Sequence, residues 1–185
     1  MKGKIFTAQE VQSIIAGSKT MFREVIKPQP NSNINPVKLD YLCRTWQWAT
    51  KESRRECPYQ VGQKIFVKER FFVSNYIELR YEANLSIDEK YYWLPAIKMK
   101  QEHSRLTLEI TDIKVERLGD ISEEDAIAEG IYWEDNLGFT CGNEEGNTES
   151  PIGEFADLWN ATHKKPEEKF EANPFVWVVD FKINK

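Results

Sequence analysis

The sequence has no apolar stretch long enough to cross a membrane as a helix. Its longest purely apolar run, Phe175 to Val179, is five residues, where about twenty are needed. No membrane partner is expected. Cysteine and histidine are scarce, at three and two. Cys43, Cys57, Cys141, His103 and His163 show no zinc-ligand spacing, so no metal site is expected. An odd cysteine count without CxxC pairs fits a reducing cytoplasm better than a disulfide framework. Met1-Lys2-Gly3-Lys4 leads into a polar pattern and not an apolar signal core, which argues against secretion. Neither a phosphate-binding P-loop nor GxGxxG occurs, no Ser/His/Asp order stands out, and no cofactor is expected. Internal repeats and low-complexity segments are also missing.

What is present describes one globular domain spanning residues 1–185. The chain is 41% hydrophobic and 30% charged, with 23 aromatic side chains, enough to build a core without staples. Net charge is −5, but residues 1–70 carry 13 Lys/Arg against 6 Asp/Glu, and residues 71–185 carry 12 against 24. Asp120 to Thr162 holds 12 acids and no Lys or Arg. A globally acidic chain is a poor non-specific nucleic-acid binder, because that affinity comes from neutralising phosphates. A basic N-terminal third could still hold one strand or one nucleotide. The acidic 120–162 stretch offers a docking face for a basic protein partner. Both regions are equally well read as solvated faces.

Local signals place the elements. Thr7 with Glu10 forms a capping box, Val11, Ile14 and Ile15 make an apolar stripe, and Gly17 stops the helix. Lys19 to Lys27 is a basic segment ended by Pro28-Gln29-Pro30. Asn31 to Pro36 is turn-forming. Val37 to Trp48 reads as a strand or strand pair. Ile65-Phe66-Val67 is a strand, and Ile77, Leu79 and Tyr81 alternate with charges. Leu106, Leu108 and Ile110 continue at Ile113 and Val115, a slip of one that predicts a bulge near Thr111-Asp112. Ser122 with Asp125 opens a helix closed by Gly130. Residues 136–150 read as an exposed flexible loop. Ser150-Pro151 starts a third helix, and Phe175 to Ile183 is a buried terminal strand. Short strands with about three helices between them predict an α+β fold, a single small mixed β-barrel with decorating helices.

Three groups stand out chemically. In Gly17-Ser18-Lys19-Thr20 a lysine follows a helix C-terminus, where helical carbonyls favour its charged form. If desolvated instead, it could act as a base. As a solvated cap it would do neither. Glu109, on the strand face opposite Leu108 and Ile110, is either exposed or at the mouth of a barrel pocket. Trp46 and Trp48, two apart, share one strand face and can serve in base stacking or in core packing.

Several segments together resemble the ASCH domain family, most closely its phage- and prophage-encoded proteins, whose fold is a PUA-like β-barrel. They begin with Gly17-x-Lys19 and Lys27-Pro28-Gln29-Pro30. Cys57-Pro58-Tyr59 with Gly62 and Val67-x-Glu69 follows, then Trp93-x-Pro95-x-Ile97-x-Met99. Ser104 to Glu109, Gly119 to Ala126, Phe155-x-x-Leu158-Trp159 and Glu171 to Val178 complete the series, which covers nearly the whole chain.

The resemblance implies binding of RNA or a modified nucleoside in a pocket around Lys19 and Glu109. Arg23 would contact phosphate or a base carbonyl, and Phe22 or Trp46 would stack on the base. Some members of the family are amidohydrolases that deacetylate N4-acetylcytidine with a lysine, a threonine three residues later and a strand glutamate. Lys19 and Glu109 match two of these, while Phe22 occupies the threonine position. As a hydrolase of an acylated nucleobase the chain would need Thr20 or a water as nucleophile, so enzymatic activity stays open. The third reading is a phage-derived interaction protein.

Overall fold

The computed structural model of the chain describes residues 1–30, 37–38, 45–47, 54–73, 79–84, 93–142 and 150–184. In order the elements are β1 (Lys2–Ile5), α1 (Ala8–Ala16), β2 (Met21–Val25), β3 (Val37–Lys38), β4 (Thr45–Gln47), β5 (Arg54–Glu56), β6 (Lys64–Lys68), β7 (Phe71–Val73) and β8 (Leu79–Tyr81). There follow β9 (Thr107–Arg117), α2 (Glu123–Ala128), β10 (Tyr132–Glu134), β11 (Gly138–Thr140), α3 (Pro151–Thr162) and β12 (Phe175–Ile183). The protein is therefore α+β, with three α-helices among the described residues.

The local signals act as their chemistry requires. Thr7 Oγ1 accepts from the Glu10 amide at 3.2 Å, and Glu10 Oε2 accepts from the Thr7 amide at 2.8 Å. The helix then ends at Gly17, whose φ of 82° suits a residue without a Cβ. On β9, Ile110 faces Phe181 while Asp112 faces Asp180, leaving Thr111 as the extra residue of a bulge.

Two strands carry no such signal. β2 lies in the segment read only as basic, and its pattern is hidden because Met21, Phe22, Arg23 and Val25 are all buried, covering both faces. β1, the run Lys-Gly-Lys-Ile, shows no alternation and pairs in parallel with β6. The segment 136–150 also departs from a plain loop at its start. Gly138–Thr140 pair with Tyr132–Glu134 across a turn at 135–137, and Gly138 enters the strand at φ 79°. Residues 143–149 lie outside the described residues.

The main sheet runs β1-β6-β9-β12-β2, antiparallel except for β1 with β6. Its two edge strands, β1 and β2, come together through side chains. Lys4 Nζ sits 2.7 Å from Glu24 Oε2, and the rings of Phe6 and Phe22 are 6.0 Å apart. Among the described residues no backbone pairing joins these two edges.

The sheet separates two cores. The inner one gathers Phe6, Phe22, Tyr59, Leu108, Trp177 and Phe181 with Val11 and Ile14 of α1. The outer one packs Met21, Val25, Val176 and Val178 beneath Ala126 of α2 and Phe155 and Trp159 of α3. Alternation along each strand thus sends successive side chains into different environments. No helix among the described residues is long and apolar enough to cross a membrane.

Candidate functional site

The loop after α1 is fixed by its backbone. The amides of Ser18 and Lys19 both donate to the Ser13 carbonyl, and the Thr20 amide donates to the Ala128 carbonyl. This turns Lys19 toward the outer face and buries it to 3% exposure. Its Nζ donates to the Glu129 carbonyl at 2.7 Å and to Glu129 Oε2 at 2.8 Å, and lies 3.4 Å from Glu10 Oε1. Burial opposes the charge, but the Glu129 and Glu10 carboxylates outweigh it and hold the lysine pKa above its ordinary value. These carboxylates favour the ammonium form of Lys19.

Glu129 also binds Arg23, the one cation of β2. Arg23 Nη1 donates to Glu129 Oε1 at 3.1 Å, and Nη2 donates to Glu116 at 2.6 Å and to Asp125 at 2.7 Å. The guanidinium is buried, and its Nε has no hydrogen-bond partner among the described residues. Arg23 is thus spent on three carboxylates.

The remaining expected residues are placed as follows. Phe22 is 3% exposed in the inner core, edge-on to Tyr59 at 5.3 Å. Trp46 is equally buried, its ring 4.8 Å from that of Trp177. Neither ring offers a free face to a base, because the alternation of β2 and the packing of β4 turn both inward. Thr20 is exposed, and its carbonyl accepts from the Phe181 amide. Glu109 shares the outward face of the sheet but sits across from Lys182, at 3.4 Å, and is partly exposed. The structure does not bring it to Lys19, whose carboxylate partners are Glu129 and Glu10. Trp48 and Cys43 lie outside the described residues. Among the described residues no group of three or more His, Cys, Asp or Glu could hold a metal ion.

A large opening lies elsewhere. A groove of about 900 Å³ runs between the N-terminal turn of α1 and the segment Trp93–Ile97. Phe6, Trp93 and Pro95 supply apolar wall, and Gln9 and Gln12 of α1 supply amides. Arg70, paired with Glu82, stands at its edge. Lys68 Nζ donates to the Ile97 carbonyl at 2.8 Å, and Lys98 and Lys100 are exposed just beyond. A smaller chamber of about 80 Å³ shares Thr7 and Gln9 with the groove and reaches Glu10, Ser13 and Glu129. A third cleft of about 440 Å³ follows the seam between β1 and β2, where Lys4 is already paired with Glu24.

Glu129, Glu10 and Gln12 were not singled out by sequence reasoning. Glu10 was visible only as a capping residue, and Glu129 only as the residue before a helix-closing glycine. Trp93 stood in a recognisable segment, yet nothing in the sequence joined it to α1.

No family model and no curated protein matches the chain. Among solved structures it is similar to an ASCH domain from Lactobacillus crispatus JV V101, at 15% identity and a TM-score of 0.38. The alignment covers 98% of this chain and 78% of that one. A likeness at that level assigns no function.

Proposed function

We propose that the chain is a cytoplasmic ASCH-type protein with a PUA-like barrel, related to phage-encoded members, that binds RNA or a modified nucleoside in the groove between α1 and Trp93–Ile97. The observation that carries this reading is the groove itself. Its volume of about 900 Å³ lies within the range of small-molecule sites, about 300–1,000 Å³. Trp93 offers a stacking surface of the kind that holds bases without regard to sequence. The Gln9 and Gln12 amides carry donors and acceptors for base edges. Arg70, ion-paired with Glu82, lines the opening, and the exposed Lys98 and Lys100 follow Ile97 in the chain as candidates to meet phosphate. The site thereby moves from Lys19 and Glu109 to the opposite end of α1, with Lys19 behind it.

Hydrolysis has weaker support. Phe22 cannot attack an acyl group, Thr20 is exposed while Lys19 is buried, and the Glu129 and Glu10 carboxylates favour the charged form of Lys19. Docking through the acidic 120–162 stretch loses two of its charges, since Asp125 and Glu129 are turned onto Arg23 and Lys19.

Equilibrium dialysis against cytidine, adenosine and a short single-stranded RNA tests the reading. Trp93→Ala should weaken binding by about tenfold or more, the worth of one stacked base. Lys98→Ala with Lys100→Ala should reduce the salt dependence of RNA binding. Affinity unchanged by Trp93→Ala, or no binding at all, overturns the groove as the site. Incubation with N4-acetylcytidine should release no cytidine. Release that disappears in Lys19→Ala would replace binding by hydrolysis.

A further inference from the structure

We infer that the end of the groove formed by Arg70, Glu82 and Gln12 reads the pairing edge of guanine and so sets which base the groove selects. This rests on the groove being the nucleoside site. All three side chains line it, as does Trp93.

Backbone pairing sets the three in one row. Phe71 pairs with Tyr81 across β7 and β8, and continuing that register by one residue puts Glu82 opposite Arg70. The Glu82 amide donates to the Arg70 carbonyl at 3.1 Å, so the register holds there. On its other side Phe71 bridges Leu94, with backbone hydrogen bonds in both directions. Residues that flank a bridge share one face of the strand pair. Arg70, Glu82, Trp93 and Pro95 accordingly all line the groove. The row ends on α1, where Gln12 Nε2 donates at 2.9 Å to the carbonyl of Ala83, the residue after Glu82. Glu82 therefore stands between Arg70 and Gln12.

The contacts already made leave each group one role. Arg70 donates through Nη1 to Glu82 Oε1 at 2.5 Å, and a guanidinium has further N–H groups and no acceptor. Glu82 Oε2 has no partner among the described residues. The amide of Gln12 has a fixed sense, because a carbonyl only accepts: its nitrogen is turned to Ala83, and Oε1 is left to accept. The pair of Arg70 and Glu82 is 52% and 28% exposed, so it adds little to stability and a ligand can reach both groups.

The row is thus donor, acceptor, acceptor. Guanine presents the complement along one edge: its keto oxygen, its ring N–H and its 2-amino group. Adenine and cytosine present a donor to Arg70 and an acceptor to Glu82, the reverse of what the row needs. Uracil matches the first two places but sets its second carbonyl against Gln12 Oε1. Among the four bases guanine alone matches all three.

The test measures guanosine, inosine, adenosine, cytidine and uridine by equilibrium dialysis. The wild-type protein should bind guanosine about tenfold more tightly than adenosine or cytidine, the lower part of what a two-bond base contact gives. Inosine, which lacks only the 2-amino group, should bind about threefold more weakly than guanosine, the worth of one neutral hydrogen bond. Glu82→Ala should bring the guanosine-to-adenosine ratio close to one. Gln12→Leu should close the gap between guanosine and inosine while leaving guanosine ahead of adenosine. A merely structural ion pair would shift the melting temperature of Glu82→Ala and leave the ratio as it was. Equal binding of guanosine and adenosine by the wild type overturns the edge reading while the groove reading stands, as does a guanosine-to-adenosine ratio unchanged in Glu82→Ala. Binding of no nucleoside overturns both together.

Discussion

The two faces of β2 solve burial in opposite ways within five residues. Inward, Phe22 packs its ring against Phe6, Tyr59 and Phe181 and brings no polar group of its own to satisfy. Outward, Arg23, with Lys19 just before the strand, is buried as deeply in a web of four carboxylates centred on Glu129. The first arrangement gains from area removed from water and tolerates approximate shape. The second offsets desolvation only while every charge keeps its partner. Equal burial thus conceals unequal fragility, and residue type alone does not tell a functional cation from a structural one.

The comparison can be broken most severely at Glu129. Glu129→Leu removes the carboxylate that two buried cations share and should cost about 3–5 kcal/mol in urea denaturation. Phe22→Ala on the other face should cost a similar amount, about 3–5 kcal/mol. The two differ in rescue. Adding Lys19→Met and Arg23→Met to Glu129→Leu should restore most of the lost stability, whereas no exchange of charge partners restores the cavity left by Phe22.

Alkaline pH sharpens the comparison with a smaller effect. Lys19 has a folded-state pKa above its ordinary 10.5. Its contribution is therefore complete below that value and is lost as pH rises beyond it toward the folded value. Tyr59 on the inner side is also raised, by burial and then by Glu24, which its hydroxyl reaches at 2.8 Å. It too withdraws stability above its ordinary 10.0. Thermal melts above pH 10 should fall steeply for the wild type, less steeply for Lys19→Met or Tyr59→Phe, and least for the double variant. Identical slopes in all four would refute the assignment.

The smallest effect belongs to Lys4. It pairs with Glu24 at 2.7 Å, as short as any contact of Lys19, yet the two side chains are 22% and 36% exposed. Lys4→Ala should cost under about 1 kcal/mol, because water screens the pair. A loss as large as that of Glu129→Leu would mean that the β1–β2 seam depends on this ion pair and not on the Phe6–Phe22 contact.

Legibility followed the range of the interactions. The Thr7–Glu10 cap, the Thr111 bulge, the Ser122 cap and the apolar β12 were readable because each is written within a few neighbouring residues. β2 was not, since a strand buried on both faces, one of them by ions, has no polar-apolar alternation to read. Lys19 was identified as unusual and its burial left open. Its partner Glu129 lies 110 residues away, beyond any local pattern. Trp46 was readable as either stacker or core, and only the position of Trp177 decided between them.

By itself the sequence determined the fold class, α+β, with its helix ends, its bulge and its split charge. These follow from periodicity and from the chemistry of caps and turns, which act over one or two turns of chain. The tertiary structure decided which lysine is bound and which tryptophan is covered. It also decided that the large opening lies between α1 and Trp93–Ile97, away from Glu109. Burial and pairing depend on side chains brought together from distant parts of the chain, and the fold alone sets those distances.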